Sequence, residues 1–273
     1  MRLGVIGFGN IAQSLMALLA EGPAPLGHLA VLCKPAQRDA LQDRLGSDLA
    51  GAAQSNAIVT DTGGLLAERC DLIVECAGHS AVRAHGPAVL EAGLDMVVVS
   101  AGALADQTLE DTLRAAAKKG GGRLIVPPGA IGGIDLLAAL GTAGAIDVRY
   151  RGTKRPAAWR GTPAEKAVDL DRLDGPSVFF SGTAREASAH YPKNANVAAT
   201  LALAGAGFEA TQVELVADPD TPGNVHQFDA VSPLARISVR IENQVSDGNA
   251  RTSATTIHSV LREVRNRQSA VVV

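Results

Sequence analysis

Aromatic residues are scarce in this chain: one Trp, two Tyr and five Phe make up 3% of its 273 residues. Alanine and glycine take their place, which suits helices packed closely on a sheet. Positive charge is not concentrated either. The formal net charge is −3 and the pI about 6.1, which argues against a nucleic-acid or anionic-membrane binder, because both need a strong positive field. No run approaches the ~18 consecutive apolar residues of a membrane span. Cysteine is limited to Cys33, Cys70 and Cys76. They are odd in number and lack metal-ligand spacing, so they read as reduced, mostly buried thiols of a cytoplasmic protein with no metal centre. No signal-peptide pattern precedes the first apolar strand, and there is neither an internal repeat nor a low-complexity linker. What is plentiful is apolar material, at 47%, enough for a substantial core in one large domain or two ordinary ones.

The most informative stretch is the first dozen residues. Arg2-Leu3-Gly4-Val5-Ile6 reads as a short apolar strand, and Gly7-Phe8-Gly9-Asn10-Ile11-Ala12 fits G-x-G-x-x-[G/A]. A helical pattern follows at once, with Ile11, Leu15, Leu18 and Leu19 on one face. Strand, glycine turn and helix in that order are the context of a dinucleotide site. Gly7 permits the tight turn, Gly9 lets the backbone approach a pyrophosphate, and Ala12 lets the helix lie close to the strand. The amides and positive dipole end of the helix then face the phosphates. Gly7, Gly9, Asn10 and Ile11 are the candidate cofactor contacts of this turn.

Strands and helices alternate through the first half. Strands are predicted at 28–33, 57–60, 71–77, 95–100 and 123–126, with helices at 80–92 and 109–119. The near-continuous apolar strands suit a parallel sheet covered on both faces, and hence a doubly wound α/β domain. An NAD-specific site usually carries Asp or Glu at the tip of the second strand. Here the tip is Cys33-Lys34-Pro35 with Arg38 beyond. Lys34 is thus a candidate partner for a 2′-phosphate, and NADP is expected to be accepted, alongside NAD; the competing reading of Lys34 and Arg38 is a solvated loop and helix face. Ala77-Gly78 and Ala101-Gly102-Ala103 are small enough to leave room for a nicotinamide, although tight turns alone would account for them.

Pro127-Pro128 marks the expected boundary. Residues 1–127 form the dinucleotide domain and 128–251 an α/β domain with a mixed sheet, for substrate binding and oligomerisation. A final helix within about 252–273 packs back on the first domain. In the second half, Gly129 to Gly133 open a helix through Leu140, and helices are expected at 184–189, 196–206 and 253–265. Strands are expected at 145–154, 177–181, 211–217, 224–229 and 235–242, with Ile146, Val148 and Tyr150 sharing one face, as do Ile237, Val239 and Ile241. Three polar stretches stand apart from ordinary packing: Pro127 to Gly133, Tyr191 to Asn196, and Pro222 to Gln227. Asn194 or Asn196 could serve as a helix N-cap. Of six histidines, His226 and His190 compete for a proton-transfer role, with a structural histidine as the alternative.

The motifs Gly7-Phe8-Gly9-Asn10-Ile11, Pro128-Gly129-Ala130-Ile131-Gly132-Gly133, Tyr191-Pro192-Lys193-Asn194-Ala195-Asn196-Val197-Ala198-Ala199 and Asn224-Val225-His226 together resemble the L-aspartate dehydrogenase family, in order and over nearly the whole chain. One departure is Tyr191, where Phe is expected before Pro-Lys-Asn. The resemblance implies a Rossmann domain followed by an α/β substrate domain, commonly in a homodimer. It implies oxidation of L-aspartate with NAD or NADP to iminoaspartate, then oxaloacetate and ammonia, and the reverse amination, with iminoaspartate available to the quinolinate route to NAD. By resemblance Ala130 binds the cofactor through its backbone N–H, Asn196 through its side chain, and His226 is catalytic. Lys193 is then the natural partner for a substrate carboxylate, or a polariser of the imine if it is buried; Lys154, Arg155 and Arg240 are further candidate cations. The alternatives are a homoserine dehydrogenase or dihydrodipicolinate reductase relative, and a non-catalytic NADPH-binding sensor.

Overall fold

A computed structural model describes residues 1–246 and 249–272 of the chain. From the N-terminus the elements are β1 (Arg2–Ile6), α1 (Asn10–Ala20), β2 (His28–Leu32), α2 (Arg38–Leu45), β3 (Asn56–Val59), α3 (Thr62–Ala67), β4 (Leu72–Glu75), α4 (His79–Glu91), β5 (Met96–Val98), α5 (Gln107–Gly120) and β6 (Leu124–Ile125). The six strands form one sheet in the order β3-β2-β1-β4-β5-β6, and every pairing is parallel. The order reverses between β1 and β4. At that point the crossovers leave in opposite directions, and a crevice opens outside the carboxyl ends of the strands. Helix α3 has no counterpart in the sequence-based expectation. Its Thr-Gly-Gly-Leu-Leu-Ala is poor in helix formers, but the Asp61 carboxylate accepts the Gly64 N–H at 2.8 Å and caps it.

The elements that follow are α6 (Ile134–Gly141), β7 (Asp147–Lys154), α7 (Ala164–Ala167), β8 (Ser177–Thr183), α8 (Ala184–His190), α9 (Asn196–Ala204), β9 (Gln212–Ala217), β10 (Asn224–Val231) and β11 (Arg236–Asn243). They build a mixed sheet in the order β11-β10-β7-β9-β8. β7 and β9 are parallel, and the remaining pairs are antiparallel. A ribbon of β12 (Val245–Ser246) and β13 (Asn249–Ser253) leads into α10 (Ala254–Asn266). The expectation that Gly129 to Gly133 open a helix needs correction. Gly133 is left-handed, with φ of 72°, and α6 begins only at Ile134.

The chain divides into two compact units: 1–103 with 107–127 and 257–273, and 104–106 with 128–256. In the first, Leu3, Val5, Leu29, Val31, Leu72 and Val74 of the sheet meet Leu15, Met16 and Leu19 of α1 and Ile257, Val260, Leu261 and Val264 of α10. In the second, β7 alternates strictly. Val148, Tyr150, Gly152 and Lys154 are buried, while Asp147, Arg149 and Arg151 are exposed. A lysine on the buried face breaks the usual logic of that pattern and marks the region that concerns function. Among the described residues, no helix is long and apolar enough to cross a membrane.

Candidate active site

In the first unit the glycine turn joins β1 to α1. Gly7 has φ of +106°, and a Cβ there would stand 2.8 Å from the Ala77 Cβ, so only glycine permits the turn to rest on the loop after β4. Gly7 N–H donates to the Leu32 carbonyl at 2.8 Å. Gly9 is the extended N-cap of α1 and supplies no capping side chain. A Cβ on it would meet nothing nearer than the Cys76 carbonyl oxygen at 3.9 Å. The helix N-terminus thus opens onto space where backbone amides and the helix dipole are available to an anion. Asn10 and Ile11 form its first turn. These residues fit the pyrophosphate of a dinucleotide. At the tip of β2, Lys34 and Arg38 are exposed. The Arg38 guanidinium lies near enough to Cys33 to offset part of the rise in thiol pKa that burial causes. Glu75, at the end of β4, is fully buried.

The second unit carries the titratable cluster. His226 on β10 pairs in register with Gly152 on β7, and Tyr150 with Phe228. Because strand side chains alternate, His226, Gly152 and Tyr150 share the inner face. Gly152 supplies the room: a Cβ there would lie 2.5 Å from the Tyr150 hydroxyl. The hydroxyl passes over it to reach His226 Nδ1 at 2.7 Å, with the rings nearly parallel and centroids 6.0 Å apart. Nδ1 being occupied, Nε2 is the ring nitrogen left for chemistry. His226 is only 2% exposed. Burial first, and then the positive charge of Lys154, hold its pKa down to about 3, so the imidazole is neutral at physiological pH. Burial pushes the Tyr150 phenol far up, so it stays protonated. Lys154 is itself buried, its ammonium 5.7 Å from the centre of the Trp159 ring, a cation–π contact. Trp159 is locked by its Nε1–H donating to the Val216 carbonyl at 3.1 Å. Nearby, Asn243 Nδ2 donates to the Ala130 carbonyl at 3.0 Å, and Thr255 donates its hydroxyl proton to Asn243 Oδ1. The Ala130–Ile131 peptide is held by a buried amide.

A profile described as "Aspartate dehydrogenase, C-terminal" matches residues 135–267, and one described as "Homoserine dehydrogenase, NAD binding domain" matches residues 7–127. An L-aspartate dehydrogenase of Ruegeria pomeroyi is 44% identical over 270 residues, spanning 99% of this chain and 94% of the relative. One of Pseudomonas aeruginosa is 48% identical over 204 residues, 75% of this chain and 76% of the relative. The chain belongs to the L-aspartate dehydrogenase family. Among solved structures, an aspartate dehydrogenase from Thermotoga maritima matches with a TM-score of 0.73 at 27% identity, covering 100% of this chain and 99% of that one. Family membership decides against a homoserine dehydrogenase, despite the profile matched by the first half, and brings NAD or NADP as cofactor.

Several expectations are corrected in this family member. Lys193 is exposed, not the buried lysine that imine polarisation would require. Asn194 is not an N-cap: it is buried and its Nδ2 donates to the Ala158 carbonyl at 3.3 Å. The N-cap of α9 is Ala195, and Asn196 is the first helical residue, so neither asparagine caps that helix. Asn196 is half-buried, and its carbonyl accepts the Thr200 hydroxyl at 3.0 Å. His190 is exposed at the end of α8, edge-on to Phe180. Arg155 donates from Nε to the Thr221 carbonyl at 2.9 Å, and Arg240 pairs with Glu242 on the surface. Tyr191 keeps an aromatic ring in its expected place, within a cluster of Trp159, Phe179 and Phe180. Glu75, the Tyr150–His226 contact and Asn243 were not anticipated. The available signals were an acid ending an apolar strand, a tyrosine two residues before a glycine in an alternating strand, and an asparagine closing another.

Proposed function

We propose that this family member oxidises L-aspartate with NAD(P) to iminoaspartate, which water converts to oxaloacetate and ammonia, and that His226 is the proton-exchanging residue. The observation that carries the residue assignment is the buried Tyr150–His226 pair beside Lys154. When bound, the nicotinamide ring accepts the hydride from the substrate Cα. The protein has the other tasks. The substrate amine must be neutral before hydride leaves, and water must then be added at the imine carbon. Both steps need a group that takes and returns protons.

In the free protein His226 is held neutral, and in the tautomer whose Nδ1–H donates to the Tyr150 oxygen it is ready to accept a proton at Nε2. Its basicity is low first because it is buried and then because Lys154 repels a second positive charge. A dicarboxylate paired with Lys154 cancels that repulsion and raises the imidazole pKa, while the cost of burial remains. The substrate therefore makes its own base stronger. Tyr150 fixes the ring plane throughout. In this reading Gly7, Gly9, Asn10, Ile11, Ala130 and Asn196 contact the cofactor and Lys34 takes a 2′-phosphate. Lys154 holds one substrate carboxylate, and Lys193, though exposed, is a candidate for the other. The working form is a cytoplasmic homodimer.

The test is oxidation of NADPH, and separately NADH, with oxaloacetate and ammonia, wild type beside His226→Ala. Turnover that requires both substrates and falls by about 10²-fold or more in the variant supports the assignment. Undiminished turnover in the variant removes His226 from the mechanism, and no turnover with either cofactor removes the reaction. Sedimentation of the wild type checks the dimer.

A further inference from the structure

Glu75 is an acid where the packing of a parallel strand asks for none. Leu72, Ile73 and Val74 before it are all fully buried, and so is Glu75. A buried carboxylate is costly unless its oxygens are satisfied. Here they are. Oε1 accepts the Ala77 N–H at 2.7 Å, the Gly78 N–H at 2.7 Å and the Ser100 hydroxyl at 3.0 Å; Oε2 accepts the Ser100 N–H at 3.1 Å. The three amides satisfy acceptor oxygens, and the Ser100 hydroxyl, which can donate or accept, serves either protonation state; burial pushes the Glu75 pKa up and these hydrogen bonds pull against it.

The groups it joins share one place. Ala77 and Gly78 form the turn from β4 into α4, and Ser100 follows β5. Both lie at the carboxyl edge of the sheet. Ala77 is also the residue beside which Gly7 packs, so this turn is next to the glycine turn, whose own Gly7 N–H is tied to Leu32 and not to Glu75. In a sheet ordered β3-β2-β1-β4-β5-β6, the turn after β1 takes the pyrophosphate and the tip of β2 takes the adenosine ribose. The other end of the dinucleotide then runs toward β4 and β5.

Resting on the dinucleotide reading of the first unit, we propose that Glu75 is a positioning residue for the nicotinamide half of the cofactor. It ties the Ala77–Gly78 turn and Ser100 into one fixed surface, while the glycine turn and α1 hold the phosphates independently. Loss of the tie should weaken the half of the ligand laid on that surface and spare the other half.

The experiment is calorimetric titration of wild type, Glu75→Gln and Ser100→Ala with NADH and with ADP-ribose, which carries everything except nicotinamide. Glu75→Gln places an amide N–H₂ among N–H donors. It is expected to weaken NADH about tenfold or more and ADP-ribose less than about twofold. Ser100→Ala removes the hydroxyl alone and is expected to show the same split at a few-fold. Should Glu75→Gln fail to fold, Ser100→Ala decides. Equal losses for both ligands, or no loss for NADH, overturn the proposal. A wild type that binds neither ligand overturns the dinucleotide assignment itself, and the proposal with it.

Discussion

His226 and Lys154 show how two side chains set each other's chemistry. The imidazole sits near pKa 3 because it is buried and because an ammonium lies close by. Lys154→Met keeps the buried bulk and removes the charge, so the His226 titration, followed by NMR in the free protein, is expected to move upward from about 3. If it does not move, Lys154 has no influence on that ring. Lys34 makes a separate residue-scale case. It stands exposed at the tip of β2, where no carboxylate precedes it. Lys34→Asp replaces attraction for a 2′-phosphate with repulsion, so the NADP/NAD ratio of kcat/KM should fall by about tenfold or more. An unchanged ratio places the 2′-phosphate elsewhere.

At the scale of the element, β7 is informative because one glycine does two jobs in it. It continues the strand between β9 and β10, and it leaves the gap through which Tyr150 reaches His226. Alanine is acceptable to a strand backbone, but its Cβ would occupy the hydroxyl's position. Gly152→Ala is expected to keep the secondary structure by circular dichroism and lower kcat/KM by about tenfold or more, because the displaced tyrosine no longer holds the imidazole. A variant with wild-type kcat/KM would show that the tyrosine contact is dispensable. The segment between α8 and α9 is held differently, by Asn194 from inside. Its Nδ2 bond to Ala158 ties the segment inward, and Asn194→Ala should cost about 1–3 kcal/mol in denaturant unfolding.

Two features belong to the molecule as a whole. The first unit is completed by the end of the chain: Ile257, Val260, Leu261 and Val264 of α10 fill its core beside β1 and β2. Val260→Asp buries an unpaired charge there. It is expected to abolish cooperative unfolding or lower stability by ~3 kcal/mol or more, although the residue lies far along the sequence from the glycine turn. The second is the dependence of stability on pH. The folded pKa of His226 is about 3 against an ordinary 6.5, so between those values the unfolded chain binds a proton that the folded one does not. Stability contributed by a neutral His226 is therefore full above about pH 6.5 and is lost as the pH falls toward 3. His226→Phe removes that linkage. Its unfolding free energy is expected to fall less steeply than the wild type's between pH 6.5 and 4, and equal slopes would contradict the burial of a neutral imidazole.

Much of this was determined by the sequence alone, and the physical reason is locality. A strand, a glycine turn and a helix in succession need only neighbouring residues to declare themselves, so β1, Gly7, Gly9 and α1 were legible, as was the alternation of strands and helices that makes a doubly wound sheet. The alternation of β7 and β11 is of the same kind. The family motifs added His226. What only the tertiary structure decided concerns groups whose character depends on distant partners. Lys154 is a cation on an inner face because Trp159 and the neighbouring strands enclose it. Asn194 looked like a cap in a one-dimensional reading, yet it reaches back to Ala158. Lys193, its neighbour, stayed in solvent. Helix α3 forms over two glycines because Asp61 caps it. Glu75 looked like the polar end of an apolar strand until the turn after β4 and the end of β5 converged on its oxygens. Burial of a charge is a property of the whole fold, since only the fold supplies the donors that make it tolerable.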